Sequence, residues 1–402
     1  MKTNTSPEAR QTGPFASVST KSLFYIGCVY VLIAAAAFCL ALKPDKHIGF
    51  NDFGSFWESG RAASHGLDPY AKYPLTWEFA DSAADLNLNP PTVLPLFQAF
   101  GAVNAPLSMW LWTFLNAVAF LVAVAALLWR KQWAVPRSHV LWVFLAPTVL
   151  DSLVLGQIYL ALFAISAAAW LCLERNRPIV AGVLIGLIVV TKPNFGLWPL
   201  GLLLAGHRRP AFAAGATAFA MIALSLCLYG SSSYSEWLVA IASHHYAHLN
   251  VTEVSLRGFF ERLALPTLAH TIPVMLGVGV SAWIWRIRGK AGVADISLLA
   301  MSTAILASPL AWCHYTLLIV PGMLGRRLNG PTTAGALLLA IPMFVPLIVL
   351  HGLSGTTMQT ALADNIYFLG TCLVFLGIGL ETLAPPYRRC IGEPAGSAIP
   401  SR

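Results

Sequence analysis

One acidic stretch and four short polar motifs interrupt an otherwise apolar chain, and their residue types are those that move protons and hold anions. The stretch Asn51 to Pro91 carries six of the 17 acidic residues: Asp52, Glu58, Asp68, Glu78, Asp81 and Asp85. Asp52 closely follows the uncharged run Ser22–Leu42 and precedes Phe53, Phe56, Trp57 and Arg61. A carboxylate at a membrane exit, followed by rings and a guanidinium, has the ingredients of a wet interfacial site roofed by aromatics. The four motifs are LDSLVLGQIYLAL with Asp151 and Gln157, TKPNFGLWP with Lys192, Pro193 and Asn194, VTEVSLRGFFERL with Glu253, Ser255, Arg257 and Arg262, and SPLAWCHYTLLIVP with Ser308, Trp312, His314 and Tyr315. Charged and amide groups at membrane depth are costly, which makes them candidates for function, and proline breaks are tolerated there where backbone lines a cavity.

Each of these residues also has a purely structural reading. Lys192 can snorkel at a helix end, Gln157 can bridge two helices and His314 can be a satisfied interior histidine. Asp151 can cap the span that follows it, and the acids from Glu78 onward read as a solvated loop face.

The elements that must position these groups are membrane helices. With 57% hydrophobic and 10% charged residues and a mean hydropathy of +0.68, the composition excludes a soluble globule, whose charged fraction is about 25%. The net charge of +8 falls in short Lys and Arg clusters between apolar runs, which is a signature of topology and not of nucleic-acid binding. Seven scattered cysteines without CxxC spacing read as small buried residues. With Met1 on the cytoplasmic side, outward crossings are expected at 22–42, 138–150, 179–190, 211–229, 294–307 and 333–350. Inward crossings are expected at 105–129, 158–173, 195–206, 270–285, 315–325 and 365–382. Most Lys and Arg then face the cytoplasm. The division that follows is a cytoplasmic disordered tail at 1–21, a transmembrane domain at 22–384 and a cytoplasmic tail at 385–402. Its outer loops are 43–104 and 230–269, and the first span is a retained signal anchor. Several spans are shorter than the ~20 residues of a perpendicular helix, so broken or buried helices are expected there. The run 91–103 is read as a helix at the outer interface, with a short full span as the alternative. The piece with Trp237, Leu238, Ile241 and Tyr246 is read as amphipathic and lying on the membrane. All four motifs fall on the side of Asp52 in this topology.

The series Asp52, Phe53, Phe56, Trp57, Arg61, Ala62, Gly66, Pro69, Tyr70 resembles the first outer loop of glycosyltransferase family 87 (the DUF2029 type). The resemblance continues through Pro90-Pro91, Gly156-Gln157, Lys192-Pro193, Ser255-Leu256-x-Gly258 and Ser308-Pro309-x-x-Trp312-x-His314-Tyr315, and so covers the chain to about residue 320. The family includes mycobacterial mannosyltransferases using polyprenyl-phosphate mannose and arabinofuranosyltransferases using a polyprenyl-phosphate pentose. The chain departs from the family pattern at Asn89, Tyr159 and Glu253-Val254, positions that bear on the sugar and the acceptor.

The resemblance implies an all-α, polytopic GT-C type bundle of about 12 transmembrane helices with extracytoplasmic loops, in the plasma membrane. It implies an inverting transfer of mannose or another hexose, with a pentose as alternative, from a polyprenyl-phosphate donor to a glycolipid or glycan acceptor. Asp52 would be the catalytic base. His314, Arg61, Lys192 and Arg257 would bind the donor phosphate. Trp57, Tyr70, Asp151, Gln157, Asn194, Ser255, Trp312 and Tyr315 would bind substrate. No cofactor and no metal are expected, since a lipid phosphate can be met by histidine and basic side chains; a divalent ion on Asp52 with Asp151 is the alternative. Two other classes compete. A transporter or flippase needs polar groups across the whole bilayer depth, and an inactive scaffold has no need of Asp52.

Overall fold

The computed structural model describes residues 51–73, 86–130, 142, 147–243, 251–324, 328–341 and 357–383. These are almost wholly helical, with a single isolated antiparallel bridge, Glu253 to Trp312. The first-span expectation at 22–42 and both tails lie outside the described residues.

Four described helices are long and apolar enough to cross a membrane: Ala105–Arg130 (α3), Arg208–Tyr229 (α8), Pro266–Arg286 (α11) and the Ala363–Leu383 part of Thr357–Leu383 (α15). Their outward faces are apolar, with Phe114, Val122, Phe219, Val274 and Met275 all exposed, as side chains meeting hydrocarbon must be. Shorter apolar helices fill the space between: Pro147–Leu155 (α4), Tyr159–Glu174 (α5), Pro178–Thr191 (α6), Leu197–Leu204 (α7) and Val293–Leu306 (α12). From Ile296 to Leu306 every residue of α12 is buried, as expected of a helix apolar all round at the centre of a bundle. Proline at the first position opens α6 and α11, where its missing N–H has no helical partner to lose.

The structure departs from three sequence expectations. The 315–325 crossing is a buried 3₁₀ segment, Cys313–Ile319, followed by the four-residue helix Val320–Met323 (α13), too short to span. The stretch 43–104, read as a loop with a helix at 91–103, also contains the helix Asn51–Ser64 (α1), which packs on Leu94–Gly101 (α2), the helix of that run, entered by a 3₁₀ turn, Pro91–Val93. The amphipathic piece forms the helix Ser232–Ser243 (α9). Its Trp237 indole donates to the Leu88 carbonyl at 3.0 Å, so Trp237 turns inward while Leu238 is exposed; Tyr246 lies outside the described residues.

The helix α1 forms because Phe53, Phe56, Trp57 and Gly60 recur at i, i+3, i+4 and i+7 and make one buried face. Phe56 stacks on Phe97 at 4.7 Å, Phe53 stacks on Trp112 at 5.1 Å, and Phe100 meets Trp112 edge-on at 5.1 Å. These rings fasten α1 to α2 and α3, and Phe56 also forms part of the wall of the cavity that Asp52 lines. The backbones of α1 and α2 touch at Gly60 and Gly101. A Cβ at Gly60 would fall inside the Phe97 carbonyl, and one at Gly101 would lie 2.8 Å from the Arg61 nitrogen.

Basic residues collect at the far end of the bundle. Arg130 Nε lies 3.8 Å from Glu174 Oε2 there, and His207, Arg208 and Arg209 border a cleft with Asn176 and Pro178. Substituting Gly60→Ala should destabilise the fold by about 1–3 kcal/mol through overpacking, read as a lower unfolding temperature in detergent. An unchanged temperature would mean that α1 and α2 are not in backbone contact.

Candidate active site

A cavity of about 440 Å³ opens at the end of the bundle away from Arg130, Arg208 and Arg209. Asp52, Asp151, Gln157, Lys192, Asn194, Trp312, His314 and Tyr315 all line it. Residues scattered over more than 260 positions of sequence are thereby brought to one chamber.

Asp52 enters in the first turn of α1, which the aromatic cluster fixes in place. Gln157 reaches it from a helix terminus. The left-handed Gly156, with φ of +69°, ends α4, and the Gln157 N–H closes back on the Ser152 carbonyl at 2.8 Å, a Schellman closure. The Gly156 carbonyl accepts the Trp112 indole N–H at 2.7 Å. So aimed, Gln157 Nε2 donates to Asp52 Oδ2 at 2.7 Å, while its own Oε1 is buried with no hydrogen-bond partner among the described residues.

Asp151 does not cap a following span. It sits inside α4, buried, with Oδ2 2.8 Å from His314 Nδ1. An ionised carboxylate only accepts, so Nδ1 carries the proton and the tautomer of a neutral ring is set, with the lone pair on Nε2. Nε2 is buried and has no partner among the described residues. Cys313 adds a third ligand-type group, and one atom each of Asp151, Cys313 and His314 lie within 4.8 Å of one another. That set differs from the Asp52 and Asp151 pair considered above.

Lys192 occupies the turn between α6 and the 3₁₀ segment Pro193–Gly196, which the proline forces out of helix. Its ammonium stands 5.1 Å from the Tyr159 ring centre and 5.7 Å from that of Tyr315, within cation–π range. Tyr159 packs on both His314 (4.4 Å) and Tyr315 (4.7 Å), making a box of rings around the cation. The sequence marks Tyr159 as a departure from the family pattern but not as a site residue. The available signal was its place two residues after Gln157, at the first turn of an apolar helix. Thr191 lines the cavity, as do Asn89, noted in the sequence only as a departure from the family pattern, and Trp237, noted only as part of an amphipathic piece.

Five selected residues are elsewhere. Arg61 is exposed, 3.6 Å from Glu58 and stacked 4.7 Å over Trp57, whose indole donates to the Val103 carbonyl. Arg257 pairs with Glu261 at 2.8 Å. Tyr70 lines a different cavity. Ser255 caps the helix Leu256–Arg262 (α10), accepting from Gly258 N at 3.0 Å and donating to Glu253 Oε1 at 2.8 Å.

The segment around Glu253 braces the His314 loop. Val254 N–H donates to the Ala311 carbonyl and Cys313 N–H to the Thr252 carbonyl, both at 2.7 Å. Beneath this pairing Arg262 is buried, with Nε on Asn365 Oδ1 at 2.9 Å and Nη1 3.9 Å from Glu253 Oε2. Burial pushes the Glu253 carboxyl above the ordinary carboxylate range, against the pull of Ser255 and Arg262.

A sequence model of glycosyltransferase family 87 matches residues 87–309. Two crystal structures of ArnT from Cupriavidus metallidurans, one bound to undecaprenyl phosphate and one apo, align over 90% of this chain and 78% of theirs. Identity is 14% and the TM-scores are 0.38 and 0.39. A search of curated proteins finds no match.

Arg262→Ala strands the buried Glu253 carboxyl and should cost about 3–5 kcal/mol of stability, most of it recovered when Glu253→Gln is added. Thermal unfolding of the single and double variants measures this. Additive losses would show that the two side chains act independently.

Proposed function

The chain belongs to glycosyltransferase family 87, and on that premise we propose that it is an inverting, polyprenyl-phosphate-dependent transferase of the GT-C type. The observation that carries this reading is one carboxylate, Asp52, held by Gln157 on the wall of a cavity that also contains Lys192 and His314. Arginine and lysine clusters mark the cytoplasmic side of a membrane protein, and they lie at the other end of the bundle. The proposed site therefore faces the extracytoplasmic side of the plasma membrane.

In the proposed reaction the acceptor hydroxyl attacks the anomeric carbon of the donor sugar as Asp52 takes its proton. The new carbon–oxygen bond forms as the bond from that carbon to the phosphate oxygen breaks, and polyprenyl phosphate leaves with the electron pair. One displacement inverts the configuration and needs a base but no carboxylate nucleophile. The Gln157 amide favours the ionised, correctly aimed Asp52. Lys192 meets the charge on the departing phosphate, and His314, whose imidazole Asp151 fixes, joins it only once Nε2 has taken a proton. Arg61 and Arg257 are left out of this set because they do not line the cavity. Tyr315 and Trp312 offer ring faces to the sugar or the first isoprene units. The donor sugar in this reading is mannose or another hexose, with a pentose as the alternative, and the acceptor is a glycolipid or glycan. No divalent ion is invoked. A separation of 2.8 Å between Asp151 and His314 is a hydrogen bond, and Lys192 already supplies a fixed positive charge.

Radiolabelled transfer in membranes, with a panel of polyprenyl-phosphate sugars and total lipid extract, tests the reading. Asp52→Asn at equal protein level should lower transfer by about 10²–10⁴-fold, and EDTA should leave the wild type unchanged. Transfer surviving in Asp52→Asn would remove Asp52 from the role of base. Lys192→Met should raise the donor KM about tenfold or more with little change in acceptor KM. An unchanged donor KM would take Lys192 out of phosphate binding.

A further inference from the structure

Lys192 is half-buried and lines the cavity, and among the described residues it forms no salt bridge and no side-chain hydrogen bond. What its ammonium meets is aromatic, the Tyr159 ring at 5.1 Å and the Tyr315 ring at 5.7 Å. A lysine on an apolar wall would otherwise swing its flexible stem toward water. Ring faces attract the charge without taking its protons into strong hydrogen bonds, so the stem is held while the three N–H donors stay available to an anion.

The two rings differ in place. Tyr315 is part of the cavity wall, whereas Tyr159 is fully buried behind it and is not among the residues that line the cavity. A ring that no ligand touches acts on a bound ligand only through what it holds. Its own position is set from two sides. Tyr159 is the first residue of α5, whose N-terminus has no side-chain cap of its own. Asn116 of α3 satisfies that end, its Oδ1 accepting the Ala161 N–H at 3.1 Å while its Nδ2 donates to the Trp112 carbonyl at 2.9 Å. On the other side the Tyr159 ring packs on His314 at 4.4 Å and on Tyr315 at 4.7 Å, and Tyr315 is backed by Phe195 at 6.0 Å. Phe195 belongs to the 3₁₀ turn that Lys192 opens, so the turn that carries the cation also braces the rings around it.

We propose that Tyr159 is a positioning residue for the lipid phosphate: its ring face stations the Lys192 ammonium at the cavity wall, charged and with its donors open. The proposal takes its ligand, a polyprenyl phosphate, from the transferase reading above. A carboxylate in the place of the ring would also hold the lysine but would cancel the charge that the phosphate needs. An aliphatic side chain would fill the space and let the stem wander.

The test is made on the full chain in proteoliposomes, with Tyr159→Phe as the reference and one, two or three fluorines then added to that ring. Fluorine draws electron density from the ring face and weakens its hold on a cation, while the ring keeps nearly its size and its packing. Two quantities are read, the donor KM in transfer of radiolabelled sugar and the Kd for undecaprenyl phosphate. Both should climb with each fluorine, to about tenfold in all, with the acceptor KM unmoved. In a Lys192→Met background the same series should be flat, because the ring then has no charge to hold. A flat series with Lys192 present overturns the proposal. So does an equal slope in Lys192→Met, which would assign the effect to the packing on His314. A protein that binds undecaprenyl phosphate with the expected slope but transfers no sugar keeps Tyr159 in this role and removes the transferase reading. One that does not bind undecaprenyl phosphate removes the role itself.

Discussion

The 2.7 Å hydrogen bond from Gln157 to Asp52 is the contact on which the site depends, because each end of it is delivered by a separate piece of packing. Trp112 serves both ends. Its ring stacks on Phe53, one residue from the carboxylate, and its indole N–H holds the Gly156 carbonyl, one residue from the amide. A carboxylate on the wall of an apolar bundle is stable only with a partner. One tryptophan thus sets the distance between acid and amide, and the surrounding rings of Phe56, Phe97 and Phe100 leave it little freedom to move.

The other half of the chamber is fixed by short-range polar pairing in place of aromatic mass. The two-residue ladder between 252–254 and 311–313 is the only extended pairing among the described residues, and it fixes the backbone just ahead of His314. Proline at 309 and the turn in which Ser308 Oγ meets the Leu310 backbone keep this segment out of helix. Irregular backbone at this depth needs such cross-strand partners, because lipid offers none.

Much of this was legible in sequence. The membrane class, the α3, α8, α11 and α15 helices and the clustering of Asp52, Asp151, Gln157, Lys192 and His314 follow from hydropathy, charge placement and polar interruptions. The α2 helix falls in the run 91–103 already read as helical, but α1 was not legible, because Phe53, Phe56 and Trp57 suit a membrane interface and a buried helix face equally, and only the Gly60 contact with Phe97 decides between them. Arg61 and Arg257 looked like phosphate ligands because charge type says nothing about direction. Each has an acidic neighbour three or four positions away, Glu58 and Glu261, that takes the guanidinium locally. Ser255 lies outside the cavity for a related reason, since a serine ahead of a helix is by default its cap.

The unequal lengths of α6 and α8 set the depth of the chamber. The two run side by side in the same direction from a common foot, with Gly182 against Pro210 and Gly186 against Ala214 and Thr217. At ~1.5 Å per residue, the 14 residues of α6 rise ~21 Å and the 22 of α8 rise ~33 Å, so the tip carrying Lys192 lies ~12 Å below the top of α8. Over that tip sit the 3₁₀ turn at Pro91, whose Thr92 hydroxyl donates to the Val190 carbonyl, and Tyr229 at the upper end of α8, bonded to Gln98. The lysine is thus at the bottom of a well between the two helices. If the donor is a lipid phosphate, as proposed, its head group must descend about that far past the top of α8 to reach the lysine.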